Sequence, residues 1–408
     1  MKKKKIKSQK TGVAEKHAAM LSRVRKGIAH IKVIGLGGGG GNAVSRMFEG
    51  DRLRGVEFIA VNTDAQDLDH GSAHKKVYIG KALTRGLGAG MNPEIGKQAA
   101  EENRSELGEV MEGADVLFLT AGLGGGTGSG TIPVVAEIAR EKGILTIAIV
   151  TKPFAFEGSQ RATIAQEALA RLKDKVDALV VIPNDRIFSI IDKDTPILRA
   201  FSYIDDVLRN GVQAIAELIN VPGIVNVDFA DMKAILRDSG TTLIGIGIAS
   251  GQDRSMKAVN GAINSPLLEV SIDGARGVLF SIAGGKDLKM SEVHDIAKAI
   301  SVNLDPNARV IFGAFHDRTL KDKSLKVVVI ATGFNGTFSQ RASTPTLFIA
   351  NEPPFRKDGV SSVAPAREKP APQTSGEVEK EKTSTKSAVQ KNAEEPWEIP
   401  AFLRKKKK

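Results

Sequence analysis

The stretch ADVLFLTAGLGGGTGSGTIPVVAEIAREKG, residues 114–143, decides how the rest of the chain is read. Its first part, 114–122, is short, apolar and β-branched, the pattern of a strand buried on both faces. Its last part, 132–143, carries apolar residues at helical spacing. Between them GGGTGSG (124–130) sets five glycines, Thr127 and Ser129 where strand passes to helix. Backbone N–H groups there can point at an anion, the helix dipole adds positive potential, and missing side chains let a ligand come close. With about one glycine in ten, a chance match to the seven-residue string is of order 1 in 10⁵ for the whole chain.

Two more glycine segments flank this one. IKVIG (31–35), LGGGGGN (36–42) and AVSRMFEG (43–50) again read as strand, loop and helix. Gly35, Gly37 and Gly40 form G-x-G-x-x-G, and Asp64 ends the next strand, VEFIAVNTD (56–64). Alone, that motif equally describes a Rossmann-type NAD-dependent oxidoreductase. The third segment is GLGAGMNP (86–93). Three glycine loops on one sheet edge suit a nucleoside triphosphate better than a dinucleotide. No G-x-x-x-x-G-K-[ST] occurs, which excludes a P-loop.

Further strands follow at 144–150 and 177–183, alternating with helical stretches as in a parallel sheet covered on both faces. A long helix is predicted from about Pro196 to Asn220. Beyond it helices at 228–239, 253–264 and 291–302 alternate with strands at 241–250, 277–284, 308–315 and 324–333, the pattern of a second α/β unit with a mixed sheet. Residues 345–408 hold 8 of the 16 prolines, so 337–395 reads as a disordered linker. It leads to an apolar-aromatic island, PWEIPAFL (396–403), suited to a partner's groove.

The 408 residues are 41 % hydrophobic and 26 % charged, ordinary values for a folded protein. There is no cysteine, so disulfides and thiolate chemistry are excluded. The net charge of +11 invites a nucleic-acid reading, but residues 1–26 carry +9 and residues 404–408 carry +5, leaving −3 for everything else. The basicity belongs to tails, not to a groove on the fold, and no nucleic-acid partner is expected. The tails read as solubilising segments or as contacts for anionic lipid, worth about 1 kcal/mol per residue near such a surface. Val13, Met20, Leu21 and Val24 allow a short helix over 12–25. Met1 to Lys26 has no apolar core of the kind a secretory signal needs.

The motif set as a whole resembles the tubulin/FtsZ family of GTPases. GGGTGSG is similar to the tubulin signature. GLGGGGGNAV (35–44), AVNTDAQ (60–66), GLGAGMNPE (86–94), TKPFAFEG (151–158), IPND (182–185) and NVDFADMK (226–233) stand in the family's order over roughly residues 30–334. WEIPAFLRK (397–405) resembles the family's C-terminal peptide, with Trp397 and Glu398 where a Leu-Asp pair is common.

The resemblance implies an α/β, tubulin-like fold. It implies a Rossmann-type parallel-sheet GTP-binding domain (30–195), then a central helix with the start of the catalytic loop (196–222), and a smaller activation domain with a mixed sheet (223–336). The remaining segments are a basic extension (1–29), the linker (337–395) and the peptide (396–408). The implied function is a GTPase, binding GTP/GDP with Mg²⁺, that polymerises head to tail into the cytokinetic ring. Its location would be cytoplasmic, at mid-cell on the inner membrane face. Membrane-tethering and regulatory division proteins would bind the Trp397–Arg404 segment, with membrane contact otherwise only through the basic tails.

Carried over by residue, Gly38, Gly39 and Asn42 belong to the first phosphate loop. Gly88, Ala89, Gly90 and Asn92 lie near the γ-phosphate. Gly124, Gly125, Gly126, Thr127, Gly128 and Ser129 form the signature loop. Glu157 and Arg161 match ribose contacts, and Asn184, Phe201 and Asp205 match the guanine pocket. Asn226, Asp228 and Asp231 match the loop that completes the site of the adjacent subunit. Mg²⁺ is expected through phosphates and water, with no protein ligand assigned.

Plainer readings stand beside these. Asp228 and Asp231 suit an N-cap and an acid at the third helical position. Glu157 and Arg161, four apart, suit a helix-face ion pair worth about 0.3–0.5 kcal/mol. Phe201 and Asp205 suit a buried ring and a solvated acid, and Asn184 suits a turn. An aspartate is a weak base at neutral pH, so the implied role of the acids is to position water. A polymer scaffold that binds GTP without hydrolysing it is the remaining alternative.

Overall fold

The first strand shows why this sheet forms. All six residues of β1 (Ile31–Leu36) are buried. Ile31 and Val33 enter one core and Ile34 and Leu36 the other, so successive side chains meet apolar layers on both faces. The computed structural model describes residues 29–334, apart from 51–54, 193, 222, 266–270, 303, 318–319 and 322. These residues belong to one unit. The basic tails, the helix expected at 12–25, the linker 337–395 and the terminal peptide lie outside the described residues.

The strands are β1, β2 (Val56–Asn62), β3 (Lys75–Tyr78), β4 (Val116–Gly122), β5 (Leu145–Lys152), β6 (Ala178–Pro183), β7 (Gly240–Ser250), β8 (Gly277–Gly284), β9 (Arg309–His316) and β10 (Ser324–Thr332). They form one sheet in the order β3-β2-β1-β4-β5-β6-β7-β10-β8-β9. The first six are parallel. The order 3-2-1-4-5-6 is that of a doubly wound nucleotide-binding fold. The second part is mixed: β10 is antiparallel to β7 and β8, and β8 is parallel to β9. The two parts join edge to edge through only two register pairs, Ala178↔Gly240 and Leu179↔Thr241.

Helices cover both faces. They are α1 (Gly37–Glu49), α2 (Ala65–His70), α3 (Lys81–Thr84), α4 (Pro93–Glu102), α5 (Arg104–Val110), α6 (Gly126–Glu141), α7 (Ser159–Leu172), α8 (Ile197–Asn220), α9 (Phe229–Leu236), α10 (Arg254–Ile263) and α11 (Met290–Ser301). Short 3₁₀ turns occupy Ala155–Glu157 and Asn184–Ser189.

The helix α8 has 24 residues, about 36 Å. Its Leu208, Val212 and Ile215 share a core with Ile149 and Val180 of the parallel part and with Val328 and Ile330 of the mixed part. Gly211 lets it settle between them: a Cβ there would lie 3.3 Å from Ile149 and 3.5 Å from Ile244. Near its C-terminus Glu217 pairs with the buried Lys326 of β10 at 3.4 Å. One helix therefore reaches from the parallel sheet to the mixed one.

The expected glycine loops are a correction. GGGGGN and GTGSG are not loops but the first turns of α1 and α6, which start at Gly37 and Gly126 rather than after the glycines. Glycine is a poor helix former, which is why the pattern read as loop. Backbone approach overrides propensity here. A Cβ at Gly40 would collide with the carbonyl oxygen of Thr120, and one at Gly130 with that of Pro93.

The sign of a Gly→Ala change should therefore depend on position. Gly41→Ala, with nothing within 4 Å of the new methyl, should stabilise the fold by about 0.5–1 kcal/mol. Gly130→Ala should destabilise it by about 2 kcal/mol or more. Urea unfolding of both variants checks this.

Candidate functional site

The chain reverses direction across the sheet between β1 and β4, leading outward to β2 on one side and β5 on the other. In open α/β sheets a ligand binds in the crevice at this point. A cavity of about 660 Å³ lies there. The N-termini of α1 and α6 meet at it: a Cβ on Gly37 would lie 2.9 Å from the amide nitrogen of Gly128.

Four helices begin on this edge, and their caps differ. Asp64 accepts from the amides of Gln66 and Asp67 and closes α2, and Asn92 accepts from Glu94 and closes α4. The caps of α1 and α6, Leu36 and Gly125, make no side-chain cap bond, and neither helix has an acid in its first turn. Their leading N–H groups and dipoles are left for an anion.

Of the eighteen nucleotide contacts predicted from the sequence, most line this one cavity. Gly38, Gly39 and Asn42 line it from α1, and Gly88, Ala89 and Gly90 from the loop before α4. Gly125, Gly126, Thr127 and Gly128 line it from the start of α6, joined by Glu157, Arg161, Asn184, Phe201 and Asp205. Gly124 and Ser129 are buried behind the wall, and Asn92 is exposed outside the lining. Asn92 is spent on capping α4, and the Gly124 amide donates to Ser129 Oγ at 2.9 Å, bracing the turn from inside.

Several lining residues were not anticipated: Arg46, Asn62, Asp67 and Thr151. Buried Asn62 donates to Asp67 at 2.6 Å and accepts from the Thr63 amide at 2.8 Å. Thr63 and Thr127 share a hydroxyl bond at 2.6 Å, tying the end of β2 to α6. The one available signal was spacing: Arg46 follows Asn42 by four, one turn along the same helix face.

Three local readings change. Glu157 and Arg161 pair at 2.7 Å, but not on one helix: Glu157 ends a 3₁₀ turn, and Gly158 at φ +95° separates it from α7. The expected burial of Phe201 and Asp205 is inverted. Phe201 is 40 % exposed and lines the cavity, whereas the Asp205 side chain is only 16 % exposed. Phe201 meets buried Phe154 edge-on at 5.8 Å. Asp205 pairs with Arg46 at 2.5 Å. Burial pushes its carboxyl up to about 6, Arg46 pulls it down and neighbouring Asp206 pushes it further up. Asn184 is more than a turn residue: its Oδ1 is buried at the cavity without a protein partner.

Asn226, Asp228 and Asp231 are not at this cavity. They follow the other end of α8, about 28 Å along the helix from Phe201. Asn226 accepts from the Gly223 amide at 2.6 Å. Asp228 caps α9 through Ala230 at 3.1 Å, without the reciprocal bond of a capping box, and Asp231 lies in the first turn. Backbone bonds between Val225 and Ala314 of β9 hold the loop, and all three polar side chains are exposed. Among the described residues no group of three or more His, Asp or Glu has metal-site geometry, and no helix is long and apolar enough to cross a membrane.

A sheet of this order, with helix N-termini converging on an anion-ready cavity, defines a nucleotide-binding α/β protein of tubulin-like fold. Comparison with known proteins narrows the class. Residues 30–192 match the Tubulin/FtsZ family GTPase domain, and residues 240–335 match the FtsZ family C-terminal domain. An empty FtsZ dimer from M. jannaschii is 45 % identical with a TM-score of 0.71, over 78 % of this chain and 92 % of that one. A tryptophan-to-tyrosine mutant from the same organism is 44 % identical with a TM-score of 0.73, over 78 % and 95 %. A GTPγS-bound protofilament of CetZ2 from Haloferax volcanii, 24 % identical with a TM-score of 0.63 over 74 % and 92 %, shares the fold. The chain belongs to the FtsZ family, within the tubulin/FtsZ GTPases. It carries that family's GTPase domain, whose ligands are GTP and GDP, and the NAD alternative falls away.

Ligand-facing and packing glycines should then separate. A methyl on Gly125 meets nothing within 4 Å and faces the cavity. Gly125→Ala should leave stability unchanged within about 0.5 kcal/mol, while weakening GDP binding about tenfold by filling space a phosphate needs. Unfolding and calorimetric titration of one preparation check both.

Proposed function

We propose that this chain binds GTP in the cavity between β1 and β4, hydrolyses it, and polymerises head to tail, each junction completing one hydrolytic site. The observation that carries this reading is the separation of the two halves of the chemistry. The anion cradle lies near the start of α8, and the family's acidic loop lies beyond its end. Asp228 and Asp231 cannot reach the same chain's cavity across a helix of that length. They can reach the cavity of a second copy stacked along the axis. Both ends carry exposed apolar side chains suited to such a contact: Leu87 is 85 % exposed beside the cavity and Ile224 is 72 % exposed beside the acids. A contact between unlike ends does not close on itself and extends into a filament.

In this reading Phe201 stacks on the base, Asn184 and Asp205 bind its polar edge, and Glu157 with Arg161 faces the ribose. The amides of α1 and α6 hold the phosphates. Asn226, Asp228 and Asp231 of the neighbour orient the attacking water, and hydrolysis is stimulated by assembly.

Asp67, Glu157 and Asp205 are held by Asn62, Arg161 and Arg46. Residues 35–42 and 122–130 contain no lysine or arginine. That donor set fits an Mg²⁺ that arrives on the phosphates with its own waters, not one caged by protein. When bound, the ion would offset phosphate charge that the glycine segments meet only with dipoles.

The wider proposal follows the family. The filament forms the cytokinetic ring on the cytoplasmic side of the membrane at mid-cell, and the Trp397–Arg404 segment binds membrane-tethering and regulatory division proteins.

Phosphate release measured against protein concentration, with sedimentation of the same samples, tests the core of this. Specific activity should be near zero at low concentration and rise with pelletable polymer. Asp231→Ala should lower turnover about a hundredfold or more with GTP affinity retained. Turnover independent of concentration would contradict the shared site. Binding without turnover at any concentration would favour the non-hydrolysing scaffold.

A further inference from the structure

Arg46 and Asp205 come from elements far apart in sequence and meet only in the folded chain. Arg46 projects from α1 and Asp205 from α8; both line the nucleotide cavity, and their side chains pair at 2.5 Å. Phe201 and the unpartnered Asn184 Oδ1 line the same cavity as the pair.

A carboxylate has about four acceptor sites. The Arg46 guanidinium pairs with Asp205 Oδ2, which does not use up the carboxylate's acceptor capacity. Guanine's edge presents two kinds of donor, the ring N1–H and the exocyclic amino group, and a charged carboxylate accepts from both. A protonated one loses acceptor capacity and turns a donor toward donors. Resting on the reading that places the base against Phe201, Asn184 and Asp205, we propose that Arg46 is the positioning residue of guanine recognition: it holds the half-buried Asp205 carboxylate charged and aimed, and the cavity selects guanine only while this pair is made.

The surroundings make the dependence measurable. Burial pushes the Asp205 carboxyl up to about 6 even with Arg46 present. The other charged groups near it on α8 are Asp206, which pushes the same way, and Arg209, which is paired with Asp206 at 3.7 Å. Asp64, Asp67 and the Glu157–Arg161 pair also line the cavity. Arg46 is the cation that counters the burial of Asp205. Removing it moves protonation of Asp205 toward neutral pH.

The test is calorimetric titration of the full chain with GDP and with inosine diphosphate, which lacks the exocyclic amino group, between pH 5 and 8.5. For the unaltered protein, GDP affinity should be flat above about pH 7 and fall about tenfold per unit below about 6. Its preference over inosine diphosphate should narrow along the same curve. In Arg46→Gln the fall should begin at higher pH: GDP binding about fivefold or more weaker at pH 7, returning to within about twofold at pH 8.5. Arg46→Lys should keep the original midpoint. A loss in Arg46→Gln that is equal at every pH, or no loss at all, would overturn the proposal. Asp205→Asn separates the underlying reading: if that variant binds GDP like the unaltered chain, the guanine assignment itself fails. If it loses GDP while Arg46→Gln shows no pH-shifted loss, only the role of Arg46 fails.

Discussion

The architecture depends on backbone meeting backbone at the end of the parallel sheet. The start of α1 lies so close to β4, and the start of α6 so close to the segment before α4 and to the first turn of α4, that single methyl groups at Gly40, Gly126 or Gly130 would strike main-chain atoms. Glycine costs helix stability at these positions. In exchange two helix N-termini, uncapped by side chains, open into one crevice. A second set of glycines, including Gly90 and Gly125, has open space where a side chain would be. Close packing and ligand access are thus divided between neighbouring glycines.

The second constraint is the length of α8. It presents Phe201 and Asp205 to the cavity near one end and runs into the loop carrying Asn226, Asp228 and Asp231 at the other. Its apolar face packs on both parts of the sheet, and the Glu217–Lys326 pair ties its far end to β10. The loop beyond it is bonded to β9. The spacing between cradle and acids is therefore built into the fold, and under the proposed function a complete hydrolytic site needs two chains.

Much of this was legible from the residues. The strands β1, β4, β5 and β6 are buried on both faces, so they read as unbroken apolar runs, and the mixed second sheet followed from its own strand pattern. β3 (KKVY) was not legible: it is a four-residue edge strand, and its two lysines, which keep the edge from pairing with other chains, hide it. The glycine helices read as loops because propensity points away from helix and only tertiary contact reverses it. Gly124, Ser129 and Asn92 sit inside the motifs, yet none of them lines the cavity: the first two brace its wall and Asn92 caps α4. Arg46 was missed because its meaning lies in a partner supplied by a distant helix. The exchanged burial of Phe201 and Asp205 has the same cause: four-residue spacing puts both on one helix face but does not say which of them meets solvent.

Mixing two inactive variants tests whether one hydrolytic site is divided between two chains. One carries a blocked cavity and intact acids; the other carries Asp228→Ala and Asp231→Ala with an intact cavity. In an equal mixture that copolymerises at random, about one junction in four joins a working cavity to working acids. GTP turnover should reappear in the mixture at about a quarter of the activity of the unaltered polymer and should sediment with polymer. Copolymers that form but remain as inactive as each variant alone would contradict the divided site.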